Sequence, residues 1–205
     1  MKFIKAFENY TNESILLIVD VQKSFRNFFT EMYLHDLMEY CNNFTSVYQI
    51  FDNHVDGKNV DKDYLYDEEP DLPVNGDLYI FPNQVKLVEK RYTYDVDVTF
   101  FRRLLDKDLY NQIKQKEDKG LLEMGNFFNT KYGTIIVYIG NNHNWIHVGK
   151  KLYNTLMSFK GKEITLVGGS DGECLLDVEV TAIALGVNVK RNFKFIYSAN
   201  NCPIK

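Results

Sequence analysis

Apolar positions along this chain cluster in short runs, several of them continuous rather than alternating. Ser14-Ile15-Leu16-Leu17-Ile18-Val19-Asp20 is the first, and it ends in an acid. An unbroken apolar run predicts a strand covered on both faces, as in a parallel sheet. Val47 to Asp52 repeats the pattern and again ends in an acid, whereas Gln84 to Lys90 is a weaker run ending in a base. Thr134 to Gly140, Ile164 to Val167 and Val187 to Tyr197 complete the predicted strands. Between them the apolar spacing changes to that of amphipathic helices. Phe25, Phe28, Phe29, Met32, Leu37, Met38 and Cys41 predict a helix over about 24–44. Phe100 to Ile113 predicts one over about 99–116, and Trp145, Val148, Leu152, Leu156 and Phe159 predict another. Leu175 to Leu185 predicts the last, stopped by Gly186. Residues 125–132 read only as a connection.

Strands alternating with helices predict an α/β fold: a three-layer, doubly wound, mainly parallel sheet of about six strands. The chain of 205 residues is read as a single domain, 1–205. It carries two additions. Residues 53–77 are an acidic loop broken by Pro70, Pro73 and Gly76, and about 99–145 form an extra helix–strand region.

Composition narrows the function classes. Apolar residues make up 45% of the chain, enough for a full core. The formal net charge of -4 provides no general pull toward nucleic acid or anionic membrane. No run approaches transmembrane length, and the Met1-Lys2-Phe3-Ile4-Lys5 start does not read as a signal peptide. The three cysteines, Cys41, Cys174 and Cys202, are odd in number and lack metal-ligand spacing. Free thiols in a reducing, cytoplasmic setting are expected. A small-molecule substrate is the expected partner, and homo-oligomerisation stays open.

Candidate chemistry gathers at strand ends. In parallel α/β sheets, ligands bind at the carboxyl ends of the strands. Asp20, Asp52, Lys90, the 141–143 segment with His143, and Cys174 all fall at such ends in the predicted order. Cys174 follows Gly168-Gly169-Ser170-Asp171-Gly172-Glu173, a turn rich in glycine that leads into a helix. Glycines allow the sharp bend, and Ser170 or Asp171 can cap the helix. A cysteine in the first helical turn meets unpaired N–H groups, which favour a thiolate and can receive an oxyanion. Asp20 is placed to move the thiol proton, and Lys90 to hold both by charge. Taken one by one, the same residues also read as a buried cysteine, a strand-end cap and a solvated base.

Three segments resemble the isochorismatase-like cysteine hydrolases, and they occur in that family's order. They are Leu16-Leu17-Ile18-Val19-Asp20-Val21-Gln22-Lys23-Ser24-Phe25, then Leu87-Val88-Glu89-Lys90-Arg91-Tyr92, then Leu166 to Cys174. The resemblance implies an Asp20-Lys90-Cys174 triad, a thioester-type intermediate and hydrolysis of a small amide, often nicotinamide. It implies a non-proline cis peptide near Gly169-Ser170. It also implies substrate or oxyanion contacts at Phe25, Tyr92, Gly169, Ser170 and Glu173.

Asp52-Asn53-His54 is similar to the pair with which nicotinamidases begin a metal site. Carboxylate and imidazole suit Zn²⁺, Fe²⁺ or Mn²⁺. The expected second histidine is missing, and His143 is the substitute considered. The chain also departs from the family in having Lys23-Ser24 for an Asn-Asp pair and Gly169 for a branched apolar residue. Lys90 and Cys174 stand further apart than usual. A second register would align 134–140 with the lysine strand and leave no lysine. A metal-independent isochorismatase-type hydrolase and a catalytically degenerate scaffold are the two alternatives.

Overall fold

The computed structural model describes residues 13–52, 77–81, 85–90, 92–95, 126–130, 133–139 and 143–199, with helical positions at 108, 111 and 115. In chain order the strands are β1 (Ile15–Val19), β2 (Ser46–Phe51), β3 (Lys86–Glu89), β4 (Tyr92–Asp95), β5 (Asn126–Thr130), β6 (Gly133–Ile139), β7 (His143–Gly149), β8 (Glu163–Gly168) and β9 (Asn188–Ile196). The helices are α1 (Glu31–Cys41), α2 (Lys150–Met157) and α3 (Cys174–Ala184).

Five strands form a sheet in the order β3-β2-β1-β8-β9, and every neighbouring pair in it is parallel. The protein therefore has an α/β fold. β1 lies at the centre and all five of its residues are buried. Its side chains alternate between two cores, as the pleat requires. Ile15, Leu17 and Val19 join Leu152 and Leu156 of α2 and Leu175, Val178 and Ala182 of α3. Leu16 and Ile18 face the other way, onto Leu34, Leu37 and Cys41 of α1. The result is three layers, with α1 on one face and α2 and α3 on the other. Each fully buried aliphatic contributes about 1.5–3 kcal/mol over an exposed one, so a polar substitution in β1 would be costly on either face. Among the described residues no helix is long and apolar enough to cross a membrane.

The continuous runs at 15–19, 46–51 and 163–168 thus become parallel strands. Three other predictions change. The helix expected over about 24–44 is broken in two. A 3-10 turn spans Lys23–Phe28, Phe29 is extended (φ -145, ψ 159), and α1 starts only at Glu31. Thr30 takes over as N-cap, its hydroxyl accepting from the Tyr33 amide at 3.1 Å. Phe29 meanwhile packs among Tyr33, Tyr79 and Tyr197. Aromatic packing and a cap override helical spacing here.

The second change concerns 134–140. This run is β6, but it lies in a separate four-stranded sheet, β4-β7-β6-β5, whose pairings are all antiparallel. The segment read as a connection supplies β5, which pairs antiparallel with β6 from Asn126 and Val137 to Thr130 and Gly133. The third change is that Trp145 to Val148 belong to β7 rather than a helix. These large aromatic and branched residues suit a strand. The helix begins at Lys150, after an extended Gly149. Nine strands are thus described where about six were expected. The helix expected over 99–116 lies outside the described residues apart from positions 108, 111 and 115, and the acidic loop does so up to residue 76.

Candidate functional site

β1, β3 and β8 are parallel, so their carboxyl ends share one rim. Asp20 follows β1, Lys90 follows β3, and the turn to Cys174 follows β8. β2 separates β1 from β3, a gap of about 10 Å at normal strand spacing. A long side chain is needed to cross it, and lysine has one. Lys90 Nζ donates to Asp20 Oδ2 in a buried ion pair, Asp20 being 1% and Lys90 5% exposed. The Lys90 amide donates to the Phe51 carbonyl at 2.8 Å, which fixes the start of its reach.

Asp20 has a left-handed backbone with φ of 51°, the one non-glycine residue with positive φ among those described. This conformation turns the chain off β1 at the rim. Asp20 Oδ1 is buried and has no hydrogen-bond partner among the described residues. One carboxylate oxygen is thus held by Lys90, and the other is left to take a proton.

Cys174 opens α3 and is half-buried. Its thiol interacts with both Asp20 and Lys90. Burial pushes the thiol pKa up to about 11; Lys90 pulls it down, while the Asp20 charge raises it further. The helix start therefore does not hold a thiolate at neutral pH, contrary to the sequence expectation. Desolvation and a neighbouring carboxylate outweigh the helix dipole and the ammonium. Burial also raises the carboxyl pKa of Asp20, with Lys90 opposing it only in part. Burial disfavours the Lys90 ammonium, but the charges of Asp20, Cys174 and Asp52 outweigh it and hold the pKa above the usual value. At rest the thiol is neutral and lies beside the buried Asp20–Lys90 pair.

The turn between β8 and α3 depends on two glycines for different reasons. Gly168 has φ of 104°, and a Cβ there would lie 2.0 Å from the Val19 carbonyl oxygen. A Cβ on Gly169 would lie 2.5 Å from the Tyr197 ring. The ring thus occupies the space of the branched residue expected at 169. The Gly169–Ser170 peptide is cis, where the resemblance implied one. Neither Ser170 nor Asp171 caps α3 through its side chain. Ser170 Oγ accepts from the Ala199 amide at 2.9 Å, and Asp171 pairs with Arg191. The Ser170 carbonyl instead receives the amides of Glu173 and Leu175. The Cys174 amide has no backbone partner among the described residues, so it can receive an oxyanion.

The other expected contacts divide. Phe25 is half-buried at the edge of the α1-side core, its ring 6.4 Å from that of Phe28. Glu173 is exposed at the N-cap of α3. Tyr92 opens β4 in the four-stranded sheet, and its side chain lies outside the described residues. His143 opens β7 in that same sheet, in register with Ile139. It therefore does not end a strand of the parallel sheet, because β6 and β7 are a hairpin. His54 lies outside the described residues. Asp52 sits at the end of β2 within charge range of Lys90. Among the described residues no three or more His, Cys, Asp or Glu side chains gather as metal ligands. The donor set for a metal is not assembled among the described residues.

Sequence reasoning gave no role to two residues that organise this rim. Gln22 is fully buried; its amide nitrogen donates to the Asp52 carbonyl at 2.9 Å and to Asp77 Oδ2 at 2.8 Å. Its Oε1 accepts from the Asp52 amide at 2.8 Å. Gln22 thereby ties the ends of β1 and β2 together. Asp77 also accepts from the Ser24 amide and hydroxyl, each at 2.7 Å, so Ser24 is the residue that fits this acid. Tyr197 is the second, at the end of β9. A glutamine next to a strand-end acid was a readable signal; nothing in sequence pointed Tyr197 at Asp20. No family model, curated protein or solved structure matches this chain.

Proposed function

We propose that this protein is a cysteine-dependent hydrolase of a small amide, of the isochorismatase-like type, with nicotinamide as the leading substrate. The observation that supports it is the buried Asp20–Lys90 ion pair and its electrostatic coupling to the Cys174 thiol, at the rim where three parallel strands end. Residues far apart in sequence thus come together at one rim as an acid, a base and a half-buried thiol, the groups that nucleophilic catalysis needs.

In this reading Cys174 Sγ attacks the amide carbonyl while Asp20 takes the thiol proton. Because the thiol rests protonated, proton transfer accompanies attack rather than preceding it. Lys90 favours the ionised form of the carboxyl and offsets charge as it builds. The Cys174 amide receives the oxyanion. The tetrahedral adduct collapses with cleavage of the C–N bond, and Asp20 returns the proton to the leaving nitrogen. A thioester remains. Water then attacks it, with Asp20 as base, releasing the carboxylic acid and the thiol.

A panel of small primary amides, nicotinamide included, tests this with purified protein. Turnover with a thioester adduct on Cys174 by mass spectrometry is expected. Cys174→Ala should lose at least about a thousand-fold in rate, as removal of a covalent nucleophile does. Equal turnover by Cys174→Ala would overturn the reading. Turnover of a vinyl ether but of no amide would move the assignment to the isochorismatase-type branch. No turnover of either would leave the scaffold reading.

A further inference from the structure

We infer that Tyr197 is a positioning residue, holding Asp20 against the turn that carries Cys174. The inference rests on the Asp-Lys-Cys reading above and extends it to a residue outside the triad.

Tyr197 touches both halves of the site. Its hydroxyl donates to the Asp20 carbonyl at 2.7 Å. Its amide donates to the Gly168 carbonyl at 3.0 Å, and its own carbonyl accepts from the Asp171 amide at 2.9 Å. Its ring lies against the face of Gly169. One residue is thus bonded to the acid on one side and to the turn of the nucleophile on the other.

The acid needs such a hold. A non-glycine residue at φ of 51° occupies a sparsely populated region that persists only when its surroundings over-determine it. The Asp20 amide donates to the Ile50 carbonyl at 2.9 Å. The Asp20 carbonyl accepts from Gln22 N–H at 3.0 Å, a local contact, and from Tyr197. The tyrosine is therefore the long-range bond on that carbonyl. It is well built for this. The residue is 7% exposed and its ring is packed by Phe28, Phe29 and Tyr33, which leaves the hydroxyl little freedom to swing away. Burial, then the nearby Asp20 charge, raises its phenol pKa, so it stays a neutral donor throughout the working range.

A tyrosine that merely satisfies its own hydroxyl would matter to stability alone. A positioning tyrosine also matters to the chemistry of Cys174, because the Asp20 charge acts on the thiol. The test is the pH dependence of iodoacetamide labelling at Cys174, followed by mass spectrometry, in full-length protein. Tyr197→Phe keeps the ring, its packing and the contact with Gly169, and removes only the O–H. As Asp20 relaxes away from the thiol, the labelling midpoint should fall by about one pH unit, the size of shift a nearby charge produces. In an Asp20→Asn background the same change should move the midpoint no further, since the tyrosine acts through the acid. A lowered unfolding temperature with an unmoved midpoint would overturn the inference while leaving the triad intact, provided that Asp20→Asn alone lowers the midpoint. If Asp20→Asn alone leaves it unmoved, acid and thiol are not coupled, and the underlying reading fails with it.

Discussion

Lys90 meets Asp20 by reaching across the end of β2, so the ion pair joins strands that are not neighbours in the sheet. Both charges are buried, and a buried pair is far more sensitive to losing one partner than to losing both.

Lys90→Met should therefore cost about 3–5 kcal/mol near neutral pH. Asp20 would keep its burial and lose the nearby cation that lowers its pKa. Its carboxyl would rise further above the ordinary 3.8. A carboxyl raised in the folded state stabilises when protonated, and that contribution is lost as pH climbs from the unfolded value through the folded one. The deficit should thus be small near pH 4 and large at pH 7, and Asp20→Asn in the same chain should restore much of it. Urea unfolding at the two pH values measures this. A deficit equal at both would place the lysine's contribution in packing instead of charge.

Cys174 should titrate late. With the thiol pushed up to about 11, iodoacetamide labelling should keep rising well above pH 9 rather than level off near neutrality. Asp20→Asn should shift the profile down and Lys90→Met should shift it up, following the sign of each charge on the thiol. Cys41, buried and raised to about 12, should label more slowly at every pH. A plateau near pH 7 would mean that the helix start stabilises the thiolate after all.

Gly169→Ala should destabilise the fold by roughly 1–3 kcal/mol, as overpacking does, because its Cβ would meet the Tyr197 ring. Adding Tyr197→Ala should make the double variant less unstable than the two single losses summed. Thermal melts of all four proteins close the cycle. Strict additivity would show that the two positions do not share one space.

Gln22→Leu keeps the volume but removes the hydrogen bonds from Gln22 to the Asp52 amide and carbonyl. A loss of about 1–3 kcal/mol is expected, at roughly 0.5–1.5 kcal/mol for each hydrogen bond removed. Hydrogen exchange should speed up at the Asp52 amide, since its acceptor is gone. Unchanged protection there would count against the clamp between β1 and β2.

Much of the parallel sheet was legible because two-sided burial writes itself as an unbroken apolar run, as in Ile15 to Val19. Strand ends were legible for the same reason: Asp20 and Lys90 are where those runs stop. What sequence hid was partnership. The run at 134–140 looks like a buried parallel strand, yet its pairing with 143–149 sets it in another sheet, and local patterning carries no information on pairing. Phe29 fits a helical stripe, but its aromatic neighbours come from residues as distant as Tyr197. The thiol's protonation was misread because helix position is visible in sequence whereas desolvation depends on the whole fold. Gly169 looked like a departure from the family pattern, and its reason lies in a ring 28 positions later in the chain.

The strand order β3-β2-β1-β8-β9 also sets a timetable for synthesis. β1, β2 and β3 are complete once Lys90 has left the ribosome, so acid and base can find each other in a nascent chain. The other edge of β1 must wait for Ile164 to pair with Ile15, after the whole four-stranded sheet has been made. Closing so long a loop is slow, and a bare aliphatic edge invites pairing with another chain. The thiol follows still later. The growing polypeptide therefore carries its central aliphatic strand half-covered until β8 arrives, and it brings Cys174 to Asp20 and Lys90 only when that strand has been sealed.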